Sequence, residues 1–275
     1  MHRQSWPFIF VWVLLVGFIG VAGWSCAPRI TWPRATAGYT GTAFFQDACA
    51  MGWRARDSLA VRAFLDGHTP SFFKKFKAVR IEAPDSLTGK MIRGRFFVAP
   101  DYFCIGTSRD WSRVPLTPMA AQRIADTLGC TLPTRKMVDA IWRMARVQLT
   151  PVPMYAYRDS TPTMWHHHLI IEGQRQGRRG LIAGIKKDVV QSNRLLEAGR
   201  SDRVAIYGWH YPNGRPIQPL YTGHINWYVD YSHGIRLVSK RVRVVLPGKV
   251  APRWMDIAEV LQDERLRPLL SDEIR

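Results

Sequence analysis

Apolar residues along the first part of the chain follow first a helical and then a strand-like spacing. Between residues 44 and 65 they recur with helical spacing, and Gly67 and Pro70 follow that segment, which predicts one helix that ends there. Residues 77–83 and 91–99 have the composition of two strands. The segment between them, Pro-Asp-Ser-Leu-Thr-Gly, predicts that the strands form a hairpin.

Two helix-start signals come next in the chain. Thr117-Pro118 precedes an apolar pattern over 119–128, and Pro133-Thr134 precedes a second pattern from 135 to about 148. A threonine before the first turn is a good N-cap, and proline is accepted in that turn. Because the connection is so short, the two segments are expected to form a helical hairpin that packs on a sheet.

The segment 163–176 can be interpreted in two ways. As a helix it places His168, Glu172 and Arg175 on one face by their spacing. As a strand it would place successive histidines on opposite sides. The sequence alone leaves both interpretations open.

The rest of the chain has the pattern of short strands separated by turns. Asn213-Gly214 is a strong hairpin signal, and residues 256–270 have the spacing of one or two short amphipathic helices. Strands are predicted at 180–190, 204–209, 217–221, 227–230, 234–238 and 241–245. The predicted fold class is therefore α+β, with helices grouped mostly before a largely antiparallel sheet, in a single domain over residues 43–275.

The first residues have the pattern of an export signal. Residues 6–23 carry no charge, and small residues and Pro28 follow them. This predicts that residues 1–27 are a secretory signal peptide or an uncleaved membrane anchor, with a linker over 28–42. The expected location is extracytoplasmic: periplasmic, secreted or membrane-anchored. Cys26 matches a lipoprotein acceptor cysteine only loosely, so lipidation stays open.

The net charge of +18 indicates what kind of partner the protein attracts. Such a charge attracts anions, and with an export signal it favours an anionic cell-wall or extracellular polymer, while the N-terminal segment would meet the membrane. No nucleic-acid-binding module or Lys/Arg-studded helix is present in the sequence, so nucleic acid is not the expected partner. A soluble basic protein without such a partner is the alternative.

The cysteines do not have the spacing of a zinc-thiolate site, because none of the four forms a CxxC pair. In an oxidising compartment Cys49, Cys104 and Cys130 could supply one disulfide and one free thiol. Cys104 is also a candidate nucleophile, but it lies in an apolar, strand-like segment where a cysteine is more often inert.

The candidate chemistry lies in the stretch 207–237, which alternates aromatic residues with polar ones. Imidazole titrates near neutral pH, and a carboxylate can orient it for proton transfer. The catalytic candidates are His210, His224, Asp230, His233 and the upstream Asp188. The alternative is that these histidines only hydrogen-bond to loop backbone.

Other residues of the same region could hold a substrate or a metal. Cations bind carboxylate or phosphate groups, and the substrate-binding candidates are Lys186, Lys187, Arg236, Gln218 and Ser232. Zinc suits three histidines with aspartate, but no HExxH motif is present, and the adjacent histidines 166–168 cannot all face one ion from regular structure. A metal site therefore stays an open alternative.

The sequence Ser-His-Gly-Ile-Arg-Leu, residues 232–237, resembles the signature of the L,D-transpeptidases, Ser-His-Gly-Cys-Ile-Arg-Leu, with His224 in the place of their upstream histidine. The nucleophilic cysteine that should follow Gly234 is absent. The resemblance thus implies a related strand arrangement and not transpeptidation. The longer pattern GIKKDVV, AIYGWH, PIQPLY and DYSHGIRLV is similar to an uncharacterised family of secreted bacterial proteins, which implies no activity.

Two functions are compatible with these observations. The first is an exported hydrolase of an envelope or extracellular polymer, with His224 or His233 as general base and Asp230 or Asp188 as its partner. The second is a non-enzymatic envelope protein whose basic charge binds an anionic glycan or a membrane surface.

Overall fold

The computed structural model describes residues 27–35 and 38–273. The helices are α1 (Gly41–Asp47), α2 (Trp53–Leu65), α3 (Pro118–Thr127), α4 (Arg135–Met144), α5 (Thr161–Arg175) and α6 (Ile257–Gln262). The strands are β1 (Lys77–Pro84), β2 (Met91–Val98), β3 (Cys104–Gly106), β4 (Trp111–Arg113), β5 (Cys130–Thr131), β6 (Val147–Gln148), β7 (Ile182–Ala183), β8 (Lys187–Val189), β9 (Ile206–His210), β10 (Pro216–Tyr221), β11 (His233–Gly234), β12 (Val238–Ser239), β13 (Arg241–Val245) and β14 (Arg253–Asp256).

The main sheet is antiparallel and has six strands. Its order is β14-β13-β2-β12-β5, and β1 pairs with β2. The predicted hairpin is confirmed: β1 and β2 pair from Lys77 opposite Val98 to Pro84 opposite Met91. Alternate residues of β1 are buried, so one face of this sheet packs on the core and the other faces solvent. The α+β fold class is correct.

A second sheet, in the order β10-β9-β8-β11, carries most of the candidate site. Its strands are antiparallel except for β8 and β11, which run parallel with His233 opposite Lys187 and Gly234 opposite Asp188. This pairing brings residues that are about fifty positions apart in the chain side by side.

The single helix predicted over 44–65 is wrong, because the chain forms two helices there. α1 begins after Thr40, whose hydroxyl accepts the amide proton of Ala43. The helix ends at Asp47, and Gly52 has an extended backbone with ψ 165° where α2 begins. A residue in that conformation interrupts the helical hydrogen bonds, so apolar spacing alone does not reveal the break.

The segment 163–176 is helical, and α5 confirms that interpretation. Ser160 caps its first turn by accepting the amide proton of Thr163, and Gln176 ends it in the left-handed conformation, with φ 49°. Glu172 and Arg175 then form an ion pair on one face of the helix.

The helix starts predicted from Thr117 and Thr134 are also found, since each hydroxyl caps the helix that follows. Between the two helices, β5 pairs with β12 in the main sheet. As a consequence α3 and α4 pack into different parts of the core, α3 beside α2 and α4 against β1 and β9.

A buried ion-pair network joins strand β4 to helix α5. The guanidinium of Arg113 is 2.7 Å and 2.8 Å from the two carboxylate oxygens of Asp101, and its third nitrogen is 2.8 Å from Glu172. Arg113 is 1% exposed. Buried charges are tolerated when they are paired in this way.

The segment predicted as a linker contains aromatic contacts with the domain. Trp32 packs edge-on against Phe64, Phe73 and Phe76, at ring-centroid distances of 6.0–6.5 Å. The predicted signal or anchor, apart from its last residue, lies outside the described residues. Among the residues that are described, no helix is both long and apolar enough to span a bilayer.

The three cysteines in the described part of the chain, Cys49, Cys104 and Cys130, are free thiols. Burial raises the pKa of the Cys104 thiol, whose sulfur lies 2.8 Å from the carbonyl oxygen of Tyr102. A thiol that is buried and protonated is a poor nucleophile, which favours the inert interpretation of Cys104.

Candidate functional site

A tight turn between Val229 and β11 builds the centre of the site. The backbone amide of Ser232 donates to Asp230 Oδ1 over 2.8 Å, and the Ser232 hydroxyl donates to the same oxygen over 2.5 Å. The amide of His233 donates to the carbonyl of Asp230. These bonds fix the carboxylate beside the ring of His233, and they occupy the Ser232 hydroxyl.

His233 and Asp230 form a buried imidazole–carboxylate pair. His233 Nδ1 lies 3.1 Å from Asp230 Oδ1 and accepts the Asp230 backbone N–H over 3.0 Å. When the ring gains a second proton, Nδ1–H faces the carboxylate. Within the described residues, the buried Nε2 atom has no hydrogen-bond partner.

Asp230 remains ionised although it is buried. Burial on its own raises the pKa of this carboxyl, but the adjacent His233 ring, the hydrogen bonds from Ser232 and the charge of Lys187 outweigh it and hold the pKa well below its usual range. Arg158 also donates to Asp230 Oδ2 over 2.8 Å. A fixed negative charge therefore lies beside His233 at any physiological pH.

A second imidazole, His224, lies toward the surface. Its ring centroid is 5.9 Å from that of His233, 5.0 Å from the Tyr228 ring and 5.1 Å from the Tyr221 ring. Burial, the neighbouring His233 and Lys187 lower the pKa of His224 below its ordinary 6.5. His224 is only partly buried, so it is a neutral imidazole within reach of solvent.

Lys187 supplies a positive charge to the same cluster. It is 6% exposed, and its ammonium lies 5.3 Å from the centroid of the Trp209 ring. Burial lowers the pKa of Lys187, while the nearby Asp230 acts in the opposite direction. We call His224, Asp230, His233, Lys187 and Arg158 the histidine cluster.

Asp188, predicted as a catalytic carboxylate, is not part of the histidine cluster. It follows Lys187 on β8 and points to the opposite side of the strand, where it accepts the Tyr102 hydroxyl proton over 2.9 Å. Burial raises the pKa of Asp188 to about 6. Asp188 is thus an internal partner of Tyr102 and Arg236, away from the histidine cluster.

Arg236, predicted to hold a substrate, is fully buried. Its guanidinium lies 3.9 Å from the centroid of the Tyr102 ring, 3.8 Å from Asp188, and donates to the carbonyl of Ile182 over 2.8 Å. The guanidinium thus joins internal segments and does not reach a ligand at the surface.

His210 is also separate from the other histidines. Its Nε2 lies 2.9 Å from Asp139 Oδ1, which also accepts the Tyr207 hydroxyl proton over 2.9 Å, and its ring stacks on Trp142. Of the five catalytic candidates, the structure brings His224, Asp230 and His233 together and places Asp188 and His210 elsewhere.

Two further predicted substrate ligands make internal or local contacts. Lys186 is 1% exposed, donates to the carbonyl of Tyr231 and lies 3.3 Å from His167 Nδ1. Burial, with repulsion from Arg113, lowers the pKa of Lys186 to about 7. The Gln218 amide donates to the carbonyl of Pro219. The Lys186 ammonium is thus held by internal partners.

Metal ligands are not assembled in the described part of the chain: no three His, Cys, Asp or Glu side chains there come together around one point. In the tract 166–168, His166 is exposed, while His167 and His168 are buried on α5. His167 packs on the Tyr231 ring, and His168 accepts the backbone amide of Arg113.

Two partners of the histidines could not be inferred from the sequence. Arg158 precedes Asp230 by 72 residues and lies in the loop before α5, and Asp139 lies on α4, far from His210 in the chain. No local spacing links either pair. No protein-family model, curated protein or solved structure matches this chain.

Proposed function

We propose that the protein is an exported hydrolase that acts on a cell-envelope or extracellular polymer through the histidine cluster. The observation that carries the proposal is the environment of His233: one ring nitrogen is held beside an ionised carboxylate, and the other is buried without a hydrogen-bond partner in the part of the chain that the structure describes. A second imidazole lies within 5.9 Å, ring to ring.

The two imidazoles have different environments, and this difference suggests different roles. His224 is partly exposed and its pKa is lowered, so at neutral pH it can accept a proton from water. The fixed charge of Asp230 balances positive charge on His233, which suits that ring to deliver a proton from Nε2 to a leaving group.

The reaction is then a simple hydrolysis. A water molecule gives a proton to His224 as its oxygen bonds to the electrophilic centre of the substrate. The bond to the leaving group breaks, and His233 donates a proton to that group. Ser232 is not proposed as a nucleophile, because its hydroxyl is bonded to Asp230.

The segment that would direct export is the charge-free stretch 6–23. The positive charge of the chain supports an anionic polymer as substrate, because opposite charge raises the local substrate concentration. Lys187 and Arg158 are the cations of the histidine cluster that would stabilise negative charge developing in the reaction.

The test uses the full chain in a mild neutral detergent and measures release of soluble fragments from purified envelope polymers. His224→Ala and His233→Gln should each lower the rate by at least about a hundredfold, since general acid–base catalysis contributes roughly 10²–10⁴. His166→Ala, which changes an exposed histidine elsewhere, should keep full activity.

Folding is checked by circular dichroism and thermal denaturation for every variant. Should the His224 and His233 variants both stay folded and retain wild-type activity, the assignment of the histidine cluster is wrong. His224 is only partly buried, so its variant provides the test even if replacement of the buried His233 destabilises the protein.

A further inference from the structure

The solvent-facing side of the main sheet carries an unusual number of arginines. Side chains alternate between the two sides of a strand, and Val79 and Ile81 of β1 lie on the core side. We call the opposite side the outer face. The same alternation on neighbouring strands gives it Arg80 from β1, Arg93 and Arg95 from β2, and Arg241 and Arg243 from β13.

The strand register places three of these arginines in line. Arg80 is directly opposite Arg95, and Arg95 is directly opposite Arg243. Adjacent strands are about 4.8 Å apart, and like charges directly opposite each other destabilise a sheet. We call these residues the arginine row.

An aromatic side chain extends the row on β14. Trp254 is directly opposite Arg243, and the Arg243 guanidinium lies 5.3 Å from the centroid of its ring. The other contact of Trp254 is a stacked one with Phe97, at 5.5 Å. This cation–π contact fixes the position of one guanidinium of the row.

Two acidic residues lie on neighbouring positions of the outer face. Glu82 is opposite Arg93 and Asp256 is opposite Arg241, but Asp256 caps α6 by accepting the amide proton of Ala258. In the part of the chain that the structure describes, Arg93 and Arg241 form no ion pair, and neither does Arg80 of the row.

A cavity of about 560 Å³ adjoins the row. It is lined by the arginine row and Arg93, and α4 adds Lys136 and Arg143. Glu82 is the one carboxylate among the described residues that line it. Six cations and a single acid around one cavity indicate an anionic ligand.

We propose that the outer face binds a linear polymer that carries phosphate groups along its backbone. A guanidinium binds phosphate through two parallel hydrogen bonds. The cations repeat in two directions, about 4.8 Å apart across strands and roughly 6.8 Å apart along one strand. Phosphates of one chain can therefore meet the two exposed guanidinium groups, those of Arg80 and Arg93. This site stands apart from the histidine cluster and does not require hydrolysis.

The probe for the test is fluorescently labelled inorganic polyphosphate, and binding to the full chain in neutral detergent is measured by anisotropy. The variant Arg80→Gln/Arg93→Gln changes two exposed side chains. The matched control, Arg62→Gln/Arg123→Gln, removes the same charge from exposed positions on α2 and α3. Wild-type binding should weaken steeply with salt.

The Arg80/Arg93 variant should bind at least about tenfold more weakly than the wild type, and the control should stay within about twofold. His233→Gln should bind like the wild type even if it is inactive, which separates this inference from the proposed hydrolase. Equal losses in the two arginine variants would show that only net charge matters and overturn the proposal. Tighter binding of a carboxylate polymer such as polygalacturonate than of polyphosphate would also overturn the proposal. The same holds if the Arg80/Arg93 variant loses binding to anionic phospholipid micelles but keeps wild-type binding to polyphosphate.

Discussion

Gly234 is the residue of the turn region whose replacement has the most predictable effect. A methyl group at this position would lie 2.5 Å from two ring carbons of Tyr102 and 2.6 Å from Cβ of Lys186. Ordinary contacts between carbon atoms are about 3.5–4.0 Å. Gly234→Ala therefore requires that the ring or the strand move by about 1 Å.

The Tyr102 ring has little freedom to move. Its hydroxyl donates to Asp188 over 2.9 Å, and the guanidinium of Arg236 lies 3.9 Å from its centroid. Overpacking a core by one methyl costs about 1–3 kcal/mol, and loss of the buried hydrogen bond to a carboxylate adds about 1.5–3 kcal/mol. We expect Gly234→Ala to lower the free energy of unfolding by about 2.5–6 kcal/mol.

The assay is thermal denaturation of the full chain in mild detergent, followed by circular dichroism. The expected loss corresponds to a decrease in Tm of roughly 5–15 °C for a chain of this size. Gly173→Ala is the matched control: Gly173 lies inside α5, and nothing lies within 4 Å of the added methyl. That change should stabilise the protein by about 0.5–1 kcal/mol. If Gly234→Ala is as stable as the wild type, the packing argument is refuted.

Two further predictions concern the buried ion-pair network and the histidine cluster. Arg113→Met should lower the free energy of unfolding by about 3–5 kcal/mol, because it leaves buried carboxylates unpaired. The control Arg135→Met breaks an ion pair whose side chains are 33% and 39% exposed, and it should lower the free energy of unfolding by less than about 1 kcal/mol. Similar midpoints of urea denaturation for the two variants would contradict this difference. For the proposed hydrolase, the acid limb of kcat/KM should lie below pH 6.5, because burial and the charges of His233 and Lys187 lower the pKa of His224 and only the neutral ring accepts a proton. Lys187→Met removes one lowering charge and should move this limb to higher pH, whereas an unchanged limb would exclude His224 as the base.

Local signals in the sequence were sufficient where neighbouring residues determine the structure. The β1–β2 hairpin follows from two strand patterns around a turn sequence, and Thr117 and Thr134 cap the helices that they were expected to begin. The break between α1 and α2 was missed because an apolar pattern does not report the extended backbone of Gly52. Helix existence was thus easier to predict than helix boundaries.

The candidate site was predictable only in part, and for a similar reason. His224, Asp230 and His233 lie within ten residues, so a local cluster in the sequence became a local cluster in space. Asp188 was expected to join them, but it follows Lys187 on β8, and consecutive residues of a strand face opposite sides. Arg158 was missed because only the folded chain brings it to Asp230.

The resemblance of residues 232–237 to the transpeptidase signature has a structural explanation that does not involve the missing cysteine. Ser232 fixes Asp230, Gly234 leaves room for the Tyr102 ring, and Arg236 fills the space between that ring and Asp188. Each of these residue types is required by packing or by a hydrogen bond in this fold. Two nitrogens of the motif have no hydrogen-bond partner among the described residues, His233 Nε2 and Arg236 Nε, and the second of them lies 3.8 Å from the Asp188 carboxylate deep in the core. The chemistry of the site should therefore be sought in His233 and His224, whereas substitutions at the other motif positions should act mainly through stability.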